Sequence, residues 1–276
     1  GPGAQGLRLP VAPAFGLSAL EGVLAARETH KAAATVQVVA FPQAGVMRAG
    51  GKPMLDLLDA AIAAGAELVG GIDPCEVDRD PAGQLDGIFA IAEKRGVGVD
   101  IHLHEPGELG LFSLQEICAR VAAHGMAGRA TISHGFCLGA ILESKQKATA
   151  EMMAKAGVAL VTHGAGNATM PPLMLLRRAG VRVFCGNDDV RDTWSPYGNA
   201  DMLERASVIG WREDLRHDPL LLELFAMVSS EGAAALGVAA HGIAPGNPAH
   251  FFTLNAENIP DAIGAHPPRR SRPPCR

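Results

Sequence analysis

From Thr35 onward the chain alternates between two hydrophobic patterns. Short apolar, β-branched runs are followed by longer stretches whose apolar residues recur every three or four positions. The runs predict strands at Thr35–Pro42, Glu67–Ile72, Val97–Leu103, Arg129–His134, Val158–His163 and Val181–Asp188. The helical stretches between them are Pro53–Ala64, Gln84–Arg95, Ser113–His124, Glu143–Ala156 and Pro172–Ala179. Gly65, Gly96, Gly157 and Gly180 stand just before the next strand, where a helix C-terminus calls for a left-handed residue. Upstream, Gly6–Val11 predicts a further strand, with Leu17–Thr29 its helix. Strands that are apolar nearly throughout are buried on both faces, so the pattern implies a parallel sheet sandwiched between helices.

Two architectures fit that rhythm: a doubly wound open sheet and a (β/α)8 barrel one strand short. The polar residues favour the barrel. Gln43, His102, Glu105, His134, His163 and Asp188 each fall at or just beyond the C-terminal end of a strand, the face on which barrels of this kind carry their active sites. The expected fold is therefore α/β, an incomplete (β/α)8 TIM-type barrel. Beyond Asp188 the pattern turns helical at Ala200–Ile209 and Leu220–Gly237. Gly242–Leu254 then reads as a turn and a strand outside the barrel rhythm.

Composition narrows the partners. The 276 residues carry a formal charge of −5, which disfavours nucleic acid because phosphate binding needs a basic surface. No apolar run reaches the length of a membrane span, and no basic-then-apolar leader opens the chain. Cys75, Cys118, Cys137, Cys185 and Cys275 are scattered, with no C-x-x-C pair. Scattered thiols suit a reducing, cytoplasmic setting and make a cysteine zinc site a poor expectation.

The densest chemistry is Asp100–Glu105, DIHLHE. Side chains alternate along a strand, so His102 and His104 point to one side, with Glu105 at the strand mouth. Imidazole and carboxylate there suit a divalent metal and a proton carrier. A lone histidine at a strand end more often binds a nearby loop. Here His134 and Asp188 deliver further ligand types from other strands to the same face. Asp188-Asp189 admits two equal interpretations, carboxylates compensated by a cation or a helix N-cap.

The series Val39-Ala40-Phe41-Pro42-Gln43, then DIHLHE, then Thr131-Ile132-Ser133-His134, then Gly186-Asn187-Asp188-Asp189-Val190-Arg191-Asp192-Thr193-Trp194 resembles, in order and spacing, the cytosine-deaminase branch of the amidohydrolase superfamily. Ile243-Ala244-Pro245-Gly246-Asn247 resembles the turn by which that family leaves its barrel for a small β-sandwich. The resemblance implies a barrel over residues 1–240, a sandwich remnant over 241–262 and a disordered tail over 263–276. It implies one divalent ion, zinc or iron, on His102, His134 and Asp188, and catalytic roles for Glu105, His134, Asp188 and Asp189. Glu105 would carry protons, His134 would hydrogen-bond the water or the substrate, and Asp189 would face the substrate. Gln43 would read the amide edge of a flat heterocycle, since a carboxamide both donates and accepts. Trp194 would wall the pocket. His104 would only support the ligands, and His163 would have no ligand role. The implied reaction is hydrolysis of a C–N bond on a cytosine-like heterocycle or cyclic amide, in a homo-oligomer that binds neither nucleic acid nor membrane.

Three features depart from the family pattern. The first barrel strand of relatives bears an H-x-H metal pair, whereas His30 is the first histidine here. Pro10 and Pro13 also interrupt the stretch that corresponds to the second strand, and His250 stands where an aspartate is usual. With two expected ligands missing from these residues, weak metal affinity is expected. Besides a hydrolase by descent, a non-catalytic heterocycle-binding homologue and an unrelated barrel enzyme remain open on the sequence.

Overall fold

The computed structural model describes residues 3–248 and 251–268, which form two compact units. The larger comprises Ala4–Leu160 and Ala168–Arg182. Its elements begin with β1 (Gly3–Pro10), α1 (Ser18–His30), β2 (Ala34–Phe41), α2 (Lys52–Ala63), β3 (Leu68–Ile72) and α3 (Pro81–Arg95). They continue with β4 (Gly98–Leu103), α4 (Gly107–Ala123), β5 (Ala130–His134), one 3-10 turn at Phe136–Gly139, α5 (Glu143–Ala156), the start of β6 (Val158–Thr162) and α6 (Leu173–Arg178). With β7 (Val183–Cys185), the strands follow one another across the sheet in chain order.

That order decides between the two expected architectures. A doubly wound sheet reverses its strand order at a switch point, and no reversal occurs here. The pairings are parallel, with Val39 opposite Leu68, Ile72 opposite His102 and Leu103 opposite His134. The fold is that of an incomplete (β/α)8 barrel.

Helix α3 shows how the local sequence specifies its element. Asp80 caps the N-terminus by accepting from the Gly83 amide at 2.9 Å, Pro81 follows at the first turn, and Gly96 closes the helix in the left-handed region. Leu85, Ile88, Phe89 and Ala92 are fully buried, while Asp86, Ala90 and Glu93 face solvent. Each large side chain buried this way contributes roughly 1.5–3 kcal/mol of hydrophobic free energy. The sheet beneath leaves little room. A Cβ on Gly70 would lie 2.7 Å from the Ala40 carbonyl oxygen, and one on Gly71 would lie 2.8 Å from Ile88 Cδ1. All six residues of β4 are buried, Asp100 and His102 included.

The smaller unit groups Val161–Asn167 with the described residues from Val183 onward. It holds α7 (Met202–Arg212), α8 (Asp218–Met227), α9 (Ser230–Ala235) and α10 (Ile259–Ala265). Leu203, Ala206 and Ile209 of α7, Leu224 and Met227 of α8, and Ala262 and Ile263 of α10 make up its apolar interior.

Three expectations change here. The helix expected over Leu220–Gly237 is two helices, because Ser229 leaves helical geometry and its hydroxyl turns back to the Phe225 carbonyl at 2.5 Å. The last strand is shorter than Val181–Asp188, since Asp188 has a φ of 62° and cannot continue an extended run. Among the described residues of Gly242–Leu254 the extended structure is limited to a single bridge residue, Thr253. Pro245 and Pro248 lack ladder donors, and Gly242 and Gly246 each sit at a φ of 89°. Helix α10 crosses the expected boundary at 262/263. His250 and the residues from Arg269 on lie outside the described residues.

Candidate active site

In the larger unit, strand periodicity puts Asp100 and His102 on one face of β4. The His102 ring lies 4.4 Å from that of Phe41, 5.0 Å from that of His134 and 5.7 Å from that of His104, centroid to centroid. One strand layer further in, Arg8 Nη2 donates to Asp100 Oδ2 and to Ser133 Oγ, both at 2.8 Å. The Ser133 hydroxyl donates to Asp100 Oδ1 at 2.7 Å. Three strands thus share one polar network beneath the imidazoles. Burial, reinforced by the charge of Arg8, holds the His102 pKa well below its usual value. Its Nδ1 is buried 3.8 Å from Asp100 Oδ1, too far for a hydrogen bond, and has no other hydrogen-bond partner. A neutral imidazole with an unclaimed nitrogen, beside a second imidazole, is a donor set that fits zinc or iron.

His134 ends β5 at a φ of 74°, and Gly135 follows at 62°. Left-handed geometry at a non-glycine residue costs free energy and is found most often at functional positions. Glu105 is fully buried. Its Oε1 accepts from the Cys75 and Glu76 amides at 2.7 and 2.9 Å, and its Oε2 accepts from the Ser113 hydroxyl on α4. Burial raises the Glu105 pKa against those hydrogen bonds. Asp73 receives the amides of His104 and Glu105 on Oδ1 at 2.6 and 3.2 Å, and meets His104 Nδ1 with Oδ2 at 2.7 Å. Gln43 is exposed just past β2. The loop after it is anchored by the Asp78 carboxylate, which accepts from the amides of Val46, Met47 and Arg48 at 2.9–3.1 Å and from Gln84 Nε2 at 2.7 Å.

The smaller unit holds the remaining candidates. His163 Nε2 lies 3.6 Å from Asp188 Oδ2. Because His163 Nδ1 accepts from the Ala165 amide at 3.2 Å, a neutral ring carries its proton on Nε2 and faces Asp188 as a donor. Arg205 ties together the ends of β6 and β7, donating to the carbonyls of His163 at 2.8 Å and Asn187 at 3.3 Å. The Asp189 carboxyl is pushed up to about 6 by burial and by the charges of Asp188 and Asp192. The amides of Ser195 and Trp194 hold Asp192 below the usual carboxylate range. Trp194 is 84% exposed.

A profile of the amidohydrolase family matches residues 5–273. The chain belongs to that family. Its members typically depend on a metal ion, in keeping with the imidazoles and carboxylates described above. This amidohydrolase is 43% identical to N-isopropylammelide isopropylaminohydrolase of Burkholderia multivorans ATCC 17616, whose crystal structure superposes with a TM-score of 0.93 over 97% of this chain and 68% of that one. It is 31% identical to N-isopropylammelide isopropyl amidohydrolase of Pseudomonas sp. (strain ADP), over 86% of this chain but only 59% of that relative. It thus spans less than two thirds of that relative's length. Klebsiella pneumoniae 5-methylcytosine deaminase liganded with 5-fluorocytosine shares the fold, with a TM-score of 0.82 at 24% identity over 95% of this chain and 67% of that one.

Sequence reasoning missed several residues that the structure brings to this candidate site. Arg8 lies 92 positions from Asp100, and nothing local pairs them. Asp73 follows β3 and Ser113 lies within α4, and no local pattern marks either. For Asp100 a signal existed, because a carboxylate two residues before His102 must share its face.

Proposed function

We propose that this chain carries the catalytic strand ends of a metal-dependent hydrolase that cleaves a C–N bond on a flat heterocycle. The observation that carries the proposal is the pairing of His102, buried and neutral with an unclaimed Nδ1, with the His134 ring 5.0 Å away. The names of the relatives support a cytosine-like or N-alkylated heterocycle. One divalent ion, zinc or iron, takes His102 and His134 as ligands. The inclusion of Asp188 rests on the sequence resemblance. Bound there, the ion supplies acidification of a water molecule toward neutral pH.

The protein's own residues do the rest. Glu105, whose burial raises its pKa, moves a proton to the departing nitrogen through the remaining lone pair of Oε2 beside Ser113. Gln43 pairs with the amide edge of the substrate, on a loop that Asp78 holds still. Asp189 faces the substrate and Trp194 covers it. The formal charge of −5 suits a neutral small molecule and disfavours nucleic acid. Among the described residues no helix is long and apolar enough to cross a membrane. The scattered cysteines favour a cytoplasmic setting. The outer edge of β1 pairs with no strand among the described residues, which favours a homo-oligomer. Light scattering that shows a monomer at every concentration would remove that last element.

A second reading, a non-catalytic heterocycle-binding homologue, is favoured by the Glu105 carboxylate, whose two oxygens are already engaged. One assay separates the two: release of ammonia or alkylamine from cytosine and N-isopropylammelide, with and without chelator. The hydrolase reading expects chelator-sensitive release that Glu105→Gln abolishes. Heterocycle binding without any release supports the second reading.

A further inference from the structure

We infer that Arg205 is a positioning residue for Asp188: it ties the end of β7 to the end of β6 and so sets where the Asp188 carboxylate stands for metal binding. The inference rests on the proposed role of Asp188 as a ligand and adds a residue to it. Arg205 lies on α7 and is buried. Its Nη1 donates to the His163 carbonyl at 2.8 Å, its Nη2 donates to the Asn187 carbonyl at 3.3 Å, and its Nε is buried without a hydrogen-bond partner. Among the described residues no carboxylate forms an ion pair with it. Burying a guanidinium costs free energy that pairing with a carboxylate would offset. Here its donors go instead to main-chain carbonyls at two neighbouring strand ends. The planar fork suits that task, whereas a lysine would bring a point charge on a flexible stem.

The segment so held is one that local sequence disfavours. Asp188 takes a φ of 62°, in the left-handed region that a non-glycine residue adopts at a cost in free energy. The peptide before it is fixed by Arg205 on the Asn187 carbonyl and by Asn187 Nδ2, which donates to Met202 Sδ at the start of α7 at 3.2 Å. The same helix holds the loop after β6. A Cβ on Gly164 would collide with Ile209 Cγ1, and Arg212 donates to the Gly164 and Gly166 carbonyls at 3.1 and 2.9 Å. Arg205 is thus the side chain that joins the two ends, which carry His163 Nε2 and Asp188 Oδ2 to 3.6 Å from each other.

The test is the zinc affinity of the full chain by calorimetry, with thermal unfolding followed on the same proteins. Arg205→Met should weaken zinc binding about tenfold. Arg205→Lys, which keeps the charge without the fork, should weaken it as well, and it decides alone if Arg205→Met does not fold. Arg212→Met removes donations to the loop after β6 and leaves the link to β7 in place. It should lower the unfolding temperature without changing zinc affinity, which separates lost stability from lost position. If Asp188→Asn loses zinc while both Arg205 variants bind it as the wild type does, the inference fails and Asp188 remains a ligand. If Asp188→Asn binds zinc as well as the wild type, the role of Asp188 fails and the inference with it. Equal weakening by Arg205→Met and Arg212→Met would show a merely structural role and would also overturn the inference.

Discussion

At the end of β4, alternate side chains are committed to different partners. His102 is left with the neighbouring imidazoles, His104 goes to Asp73, and Glu105 goes to Ser113 and two loop amides. The first commitment was legible in the sequence, because alternation fixes the face of a strand residue. The other two were not, since Asp73 and Ser113 become neighbours only once β3 and α4 have packed. Asp100 provides a stability test of the layer beneath. Asp100→Asn leaves the Arg8 guanidinium without its charged partner and should lower unfolding free energy by about 2 kcal/mol, read from urea denaturation. Asp59 provides a pH test at the surface. Arg95 and Lys94 hydrogen-bond its carboxylate and hold its pKa below the usual value. A lowered folded-state pKa means that the stabilisation is present above the unfolded pKa and is lost as pH falls through the folded one. Asp59→Asn should therefore be less stable than the wild type at pH 7, by a margin that shrinks as pH drops below about 4. A margin independent of pH would show that the ion pairs contribute nothing.

The elements most legible in the sequence were those with both a period and punctuation. Helix α3 has its cap, its proline and its closing glycine, and the expected glycines at 65, 96, 157 and 180 all adopt positive φ. Where punctuation fell inside a run, the expectation failed. Ser229 splits a helix whose apolar pattern continues across the break. The loop after β2 shows an element held by a distant side chain. Asp78→Ala would strip an acceptor from three amides and from Gln84, which predicts a loss of about 3 kcal/mol in stability. Because Gln43 precedes that loop, heterocycle affinity should fall in the same variant while metal uptake by the imidazoles stays unchanged. Equal losses of both would show that the damage is global.

For the whole molecule, the rhythm of strands and helices specified the class but not the strand order, and order is what distinguishes the barrel from the doubly wound sheet. Rhythm records only that a helix intervenes. Order depends on which edge each new strand joins, and that is settled by packing between distant segments. The placement of polar residues at strand ends carried the missing information, because a barrel gathers those ends and an open sheet gathers them only at its switch point. If these residues bind a catalytic metal, as proposed, the metal content of the protein reveals it. Protein titrated with zinc or iron should take up about one weakly held ion per chain, removable by chelator. His102→Ala and Asp188→Asn should hold almost none at unchanged secondary structure, and Glu105→Gln should hold as much as the wild type. Wild-type protein that takes up no divalent ion, or a His102→Ala variant that binds it equally well, would show that these residues hold no metal.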